Sequence, residues 1–226
     1  MTVKGERSYE FIQGQVTCDI NAQREKVDGL FCDEKGYVIT NATLFLNKEI
    51  KILIKNDVTE ILRKELLRYS KFYKCIIETN KAEVFGKISN KVFEKCLGKK
   101  EGLLSQKEWE REQILNFCID TDSRLSCKYR ATQLGYIFKD FVSFEKGCYR
   151  GQEVLSRLNY LAKTKRKCVV FKEKGLEILN DSNGQKIGEK IFTKKFGKDE
   201  FVQFFVEDLN FNHESKIIHP VASQWV

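Results

Sequence analysis

One short stretch of the chain gathers the residue types that can do chemistry. Cys148 lies between two cations, Lys146 and Arg150, in the run K-G-C-Y-R-G-Q-E. Apolar residues recur at helical spacing directly after this run, so we expect Cys148 at or just before a helix N-terminus. Neighbouring cations and the positive end of a helix dipole both favour a thiolate, lowering a thiol pKa from about 8.5. The pattern predicts a reactive thiol with Cys148 and Lys146 as catalytic candidates; the alternative is a small buried cysteine beside two solvated cations.

The elements that must hold this thiol begin at the N-terminal end of the chain. A helical turn is expected to end at Gly14, and alternating apolar residues over 27–55 predict a three-stranded meander with a turn at 33–36. A helix is predicted to follow, capped by Asp57 and running to about Tyr69. Strands alongside packed helices indicate the α+β class.

The second half of the chain continues the mixed pattern. Strands are expected over 73–78 and 82–88, joined at 79–80, and a capping box at Ser105 begins a helix that runs to about Cys118. The run K-G-C-Y-R-G-Q-E then leads into a helix whose apolar face comprises Val154, Leu155, Leu158 and Leu161. Short strands at nearly regular spacing follow and predict a small β-barrel, over 168–171, 176–179, 186–193, 200–206 and 215–219.

Charge and composition limit the function classes. With 42% hydrophobic residues and 32% charged residues among 226, the chain has the composition of a folded protein, and disorder is not expected. The formal net charge of +8 favours anionic partners, which are phosphate backbones, acidic membranes or polycarboxylate ligands, and the sign of the charge does not choose among them. Six cations and one carboxylate lie between Arg150 and Lys167, which is the strongest local charge. A solvated lysine-rich surface is the alternative.

Cysteine usage indicates the compartment. The eight cysteines never form a C-x-x-C pair, and the two histidines, His213 and His219, lie near the C-terminus, so no metal or cluster site is predicted. No signal peptide and no apolar run of membrane-spanning length is present. We therefore expect a cytoplasmic protein that does not contact a membrane.

The signature run resembles a known family. K-G-C-Y-R-G-Q-E, followed by Arg157, is similar to the signature of the YgfZ family, folate-binding relatives of the glycine-cleavage T-protein that take part in iron-sulfur protein maturation. The runs F-I-Q-G-Q-V-T at 11–17 and C-D-E-K-G at 32–36 resemble further motifs of that family. The resemblance covers residues 9 to 171 and fades after them.

The resemblance implies a T-protein-like folate-binding fold with two domains. Residues 1–162 would form the folate-binding domain, with its middle lobe shortened around 89–104, and residues 163–226 would form the C-terminal β-barrel-like domain. In the family the folate cleft lies between lobes, so the shortened lobe would leave this cleft either open or unable to bind folate.

Tetrahydrofolate, or a derivative of it, is the cofactor that the resemblance implies. A folate site needs polar groups for the pterin edge, an aromatic slot for the ring and cations for the glutamate tail. Gln13, Gln152 and Glu153 are candidates for the first, Trp109 and Tyr149 for the second, and Arg157 or the run 163–167 for the third. The alternatives are that Glu153 complements the helix dipole, that Tyr149 and Trp109 are core residues and that Arg157 pairs with Glu153.

Three functions stay open at this stage. The first is a tetrahydrofolate-binding accessory protein that supports iron-sulfur client enzymes, tRNA-modifying ones among them, through Cys148 acting within reach of a bound pterin. The second is a folate-dependent aminomethyl transferase; it is disfavoured because Asn41 stands where the transferases carry an aspartate, and an amide cannot accept the proton. The third is a basic RNA-binding module, suggested by the cations before residue 168.

Overall fold

The computed structural model confirms the α+β class. It describes residues 1–21, 24–89, 92–98, 104–161, 166–181, 183–207, 212–213, 216–217 and 220–225. The predicted meander is present as three antiparallel strands, β2 (Lys26–Cys32), β3 (Val38–Leu46) and β4 (Ile50–Leu53). The sheet has two further strands, β1 (Thr2–Lys4) and β5 (Ile76–Glu78), in the order β2-β3-β4-β1-β5.

Two helices pack on this sheet through apolar residues. They are α1 (Ser8–Gln13) and α2 (Thr59–Ser70). Phe11, Ile12, Leu62 and Leu66 are buried with the apolar residues of the strands in one cluster. The predicted cap at Asp57 is wrong, because its carboxylate accepts hydrogen bonds from the backbone and hydroxyl of Ser123, at 2.9 and 3.0 Å. Asp57 thus joins distant parts of the chain instead of capping its own helix.

The segment after β5, where the sequence predicts a shortened lobe, contains a two-stranded ribbon. Its strands are β6 (Val84–Ser89) and β7 (Val92–Leu97), which pair with each other and with no other described strand. β5 and β6 follow one another as predicted, but they do not form a hairpin, since β5 pairs with β1. The strand β7 was not predicted because its stretch is rich in lysine and lacks clear alternation.

Four helices lead from the ribbon to the C-terminal part. The longest is α3 (Gln106–Leu115), and the predicted capping box is present at its start: Glu108 donates its N–H to Oγ of Ser105 and accepts from the Ser105 N–H. Two single-turn helices follow, α4 (Ala131–Leu134) and α5 (Phe138–Phe141). The signature helix α6 (Gln152–Tyr160) buries Leu155, whereas Leu161, predicted on its apolar face, lies beyond its end and is 70% exposed.

The C-terminal part is built of strands, as predicted. Its strands are β8 (Lys167–Lys172), β9 (Leu179–Asn180), β10 (Lys186–Ile187), β11 (Glu189–Phe196), β12 (Asp199–Val206), β13 (Asn212–His213), β14 (Lys216–Ile217) and β15 (Ala222–Trp225). They form two antiparallel sheets, one in the order β11-β12-β8-β15 and the other in the order β10-β9-β13-β14. The proposed boundary between residues 162 and 163 lies outside the described residues, as does most of the basic run 163–167.

The first of these sheets buries residues on both faces. Val169 and Val202 belong to the core of the C-terminal part, whereas Val170 and Phe201 share a larger core with Ile114 of α3. The C-terminal sheet is therefore packed directly against the elements that carry the signature. No helix in the described part of the chain is long and apolar enough to cross a membrane.

Candidate functional site

Two adjoining cavities lie between α3, the ribbon and the C-terminal sheet. The first, of about 310 Å³, is bounded by α3, the segment after it and β11. The second, of about 500 Å³, lies beneath the ribbon. Lys55 and Asp120 line both cavities and thus mark where they meet.

Asp120 is the centre of a buried hydrogen-bond network. Its Oδ1 accepts from Nδ2 of Asn41 at 3.0 Å and from the ammonium of Lys95, and its Oδ2 accepts from Nε2 of Gln113 at 3.1 Å. Burial raises the pKa of the Asp120 carboxyl, but the charge of Lys95 and the three hydrogen bonds together outweigh this effect, and the pKa lies below its ordinary value. The cleft therefore presents an ionised carboxylate at a largely buried position.

Asn41 is held by both ends of its amide. Its Nδ2 donates to Asp120, and its Oδ1 accepts from the backbone N–H of Thr121 at 2.9 Å. The side chain is buried, and an amide has no basic site that takes a proton near neutral pH. Asn41 can therefore position Asp120, but it cannot serve as a general base.

Trp109 lies on α3 and forms one wall of the second cavity. Its ring packs over Gly86 of the ribbon, where a Cβ atom would come within 2.4 Å of the indole. The ring also meets Phe93 edge to face, with centroids 5.3 Å apart. Trp109 is thus the contact between the ribbon and the body of the protein, and it borders space for a ligand.

The signature loop lies against the N-terminal part, and its two cations are engaged there. The Lys146 ammonium donates to the carbonyl oxygens of Gln13, Val16 and Cys18 at 2.6, 2.7 and 2.8 Å. Burial lowers the pKa of Lys146 to about 8. Lys146 therefore anchors the loop to the turn that follows α1.

Arg150 anchors the same loop on the other side. Its guanidinium forms ion pairs with Glu34, in the turn after β2, and with Glu65 of α2, at 2.8 and 2.7 Å. The Arg150 side chain is only 9% exposed. Both cations that the sequence places beside the thiol thus have other partners, which weakens the electrostatic argument for an activated sulfur.

Cys148 is exposed, and all eight cysteines are free thiols. It lies four residues before the first residue of α6, and it lines neither cavity. Neither cavity therefore supports the expectation that this sulfur lies within reach of a bound pterin, which stays a prediction. The adjacent Tyr149 points inward and belongs to the main core, as the alternative interpretation proposed.

The other predicted ligand residues also lie away from the cavities. Gln13 donates to Asp19 at 2.7 Å and accepts from the backbone of Ile20. On α6, Arg157 pairs with Glu153 at 2.7 Å in the exposed i,i+4 arrangement, and Gln152 opens the helix. None of these residues borders either cavity.

The predicted site residues therefore fall into two groups. Trp109 lines the second cavity and Asn41, which lines neither, is hydrogen-bonded to Asp120 behind it, whereas Gln13 and the residues between 146 and 157 lie at the signature loop and its helix. The sequence interpretation missed Asp120, Lys95 and Gln113, which form the polar centre of the cleft. A carboxylate that follows the apolar Ile119 was the available signal for Asp120. Among the described residues, no group of His, Cys, Asp or Glu could hold a metal ion.

Comparisons with known proteins agree with the signature. The tRNA-modifying protein YgfZ of Colwellia psychrerythraea is 25% identical, over 74% of this chain and 66% of that protein. YgfZ of Photobacterium profundum is 27% identical, over 74% of this chain and 65% of that protein. The match thus spans just under two thirds of the length of these curated relatives. No family model matches the chain.

A solved structure shows the same fold. Aminomethyltransferase T of the glycine cleavage system from Bartonella henselae superposes with a TM-score of 0.60, covering 96% of this chain and 81% of that protein. At 11% identity this likeness concerns the fold alone. It confirms the T-protein-like fold, and the YgfZ matches support the resemblance to the YgfZ family that the sequence motifs predicted.

Proposed function

We propose that this chain, a member of the YgfZ family, binds tetrahydrofolate or a derivative in the cleft around Asp120. In this proposal it serves as an accessory protein for iron-sulfur enzymes, with Cys148 as its reactive thiol. Because its relatives are named tRNA-modifying proteins, we include tRNA-modifying enzymes among the proposed clients. The observation that carries the folate part is the composition of the cleft.

The cleft offers the three features that a folate needs. Asp120 provides a carboxylate for the donor edge of a pterin, and Ile114, Ile119 and Phe192 provide an apolar wall. Lys55 and Lys128 line the same cavity and carry no ion pair within the described ranges, so they are free to meet the carboxylates of a glutamate tail. Volumes of about 310 and 500 Å³ match ligand sites, which are usually about 300–1,000 Å³.

The same geometry argues against aminomethyl transfer. That reaction needs a group that accepts a proton from the reacting amine, and Asn41 occupies the position of the aspartate implied by the family resemblance. Both ends of its amide are already hydrogen-bonded. Binding without this turnover is the simpler function.

Folate binding can be tested with two aspartate variants. We expect tetrahydrofolate to bind the wild-type protein saturably in calorimetry and Asp120→Asn to bind at least about tenfold more weakly, because one acceptor oxygen is lost. Asp140→Asn, which changes an exposed aspartate of α5, is the matched control and should bind normally. Absence of saturable binding by the wild-type protein would refute the folate proposal.

The role of the thiol needs a separate test. Because Cys148 lines neither cavity, we propose that it acts on a partner protein at the surface. We expect Cys148→Ser to fold normally and to fail to restore iron-sulfur enzyme activity in cells lacking the protein. Cys127→Ser, which changes the other exposed cysteine, should restore it. Full restoration by Cys148→Ser would leave this sulfur without a function.

A further inference from the structure

The ribbon β6–β7 is attached to the body of the protein at few points. It shares no sheet with another described strand. Gly86 and Phe93 pack against Trp109. Lys95 lies on the same face of the ribbon, since it is paired directly with Gly86, and it forms an ion pair with Asp120 in which both side chains are largely buried, at 17% and 18% exposure. The pair therefore holds the ribbon against the place where the two cavities meet.

Of the three donors on Asp120, Lys95 is the one that can leave. Asn41 is fixed by its second bond to Thr121, and Gln113 by a second bond to the carbonyl oxygen of Cys118 at 3.2 Å. Both belong to the body of the protein, whereas Lys95 is carried by the ribbon alone. A small movement of the ribbon would withdraw the ammonium without disturbing the other two donors.

The two oxygens of the Asp120 carboxylate differ in how many of their acceptor sites are occupied. A carboxylate offers about two lone pairs on each oxygen. On Oδ1 both are used, by Asn41 and Lys95, whereas on Oδ2 Gln113 is the only donor among the residues that the structure describes. A ligand edge with two parallel N–H donors needs one free acceptor site on each oxygen. Such an edge can dock on Asp120 only after one donor leaves Oδ1.

We propose that Lys95 is a latch, which pairs with Asp120 when the cleft is empty and must release it before a planar heterocycle with adjacent N–H donors can bind. Release frees Oδ1 and removes the buried ion pair between the ribbon and the body of the protein, so the ribbon covers the cleft or uncovers it as Lys95 binds or leaves. For the identity of the ligand this inference rests on the proposed folate function. The latch itself concerns only residues of this chain.

The test compares two lysines of the same ribbon. Lys95→Met removes the latch, and Lys87→Met removes an equal charge at an exposed position that does not contact Asp120. Without ligand, we expect amide hydrogen exchange over 84–97 to be about tenfold faster in Lys95→Met and unchanged in Lys87→Met. With tetrahydrofolate, we expect the Kd of Lys95→Met to be about tenfold lower than that of the wild type, because no ion pair has to be broken.

The outcomes separate the latch from the folate proposal. Faster exchange in Lys95→Met without folate binding by any variant would support the latch and overturn the ligand. Unchanged exchange, or weaker folate binding by Lys95→Met, would overturn the latch, since Lys95 would then be either irrelevant to the ribbon or a ligand contact. Lys95→Met leaves the Asp120 carboxylate without its ion-pair partner, and the double variant that combines Lys95→Met with Asp120→Asn removes this charge as well. It should keep the fast exchange; a return to the wild-type rate would assign the loosening to that charge and overturn the latch.

Discussion

Replacing Arg150 by methionine should destabilise the protein measurably, because this buried cation joins three separate parts of the chain. Its guanidinium bonds Glu34 and Glu65, while its backbone N–H donates to the carbonyl oxygen of Gly14. Methionine keeps most of the apolar stem and removes the charge. The backbone bond remains, so the change removes the two ion pairs together with the contact of the guanidinium over the Tyr69 ring.

The magnitude follows from the exposure of the two carboxylates. A hydrogen bond to a charged group contributes about 1.5–3 kcal/mol when it is buried. Glu65 is 28% exposed and should contribute near the lower end of this range, whereas Glu34 is 58% exposed and should contribute about 0.5 kcal/mol because water screens it. The expected loss is about 2 kcal/mol, or about 4–8 °C in Tm for a chain of this size.

Urea denaturation followed by far-UV circular dichroism measures this loss. The matched control is Arg157→Met, which breaks an i,i+4 pair whose arginine is 68% exposed and should cost about 0.3–0.5 kcal/mol. Double-mutant cycles with Glu34→Gln and Glu65→Gln should give the larger coupling to Glu65. If Arg150→Met were no more damaging than Arg157→Met, the view of Arg150 as the anchor of the signature loop would be refuted.

Three further predictions follow from the same contacts. The hydrogen bond from Arg150 lowers the pKa of Glu34 to about 2, against about 4.3 in the unfolded chain. The stabilisation from this pair is therefore complete above the unfolded value and is lost as the pH falls towards 2. The free energy of unfolding should accordingly depend less on pH in this acid range for Arg150→Met than for the wild type. Gly151→Ala should cost about 2–4 kcal/mol in urea denaturation, because φ is +82° and a Cβ would lie 2.7 Å from the carbonyl oxygen of Asp33. Gly86→Ala should displace the ribbon from Trp109 and change the indole fluorescence, and an unchanged spectrum would contradict the packing described.

Local signals in the sequence predicted most of the first half of the fold. The meander was predictable because alternation and the turn at 33–36 are contained within a few residues. The capping box at Ser105 likewise needs only the residue three positions later. The strand β1 has three residues, which is too short to show a period, and its place between β4 and β5 depends on pairing with distant strands.

The cleft was harder to predict, because its polar centre is assembled from distant positions. Asn41 and Asp120 are 79 residues apart, and Lys95 comes from a third segment. The family resemblance singled out Trp109, which lines the second cavity, and Asn41, which lines neither cavity but is hydrogen-bonded to Asp120. It also assigned ligand roles to residues of α6, and no sequence pattern shows that this helix lies outside both cavities.

The structure changes the reason for regarding Cys148 as functional. Its neighbours in the signature have structural roles, since Lys146 binds three carbonyl oxygens, Tyr149 is buried in the core, and Arg150 pairs with two carboxylates. Gly151 supplies the left-handed backbone at the start of α6. The sulfur of Cys148 is exposed and has no hydrogen-bond partner among the described residues. Neither packing nor hydrogen bonding therefore accounts for a cysteine here, and the anchored loop holds its thiol where a partner can reach it.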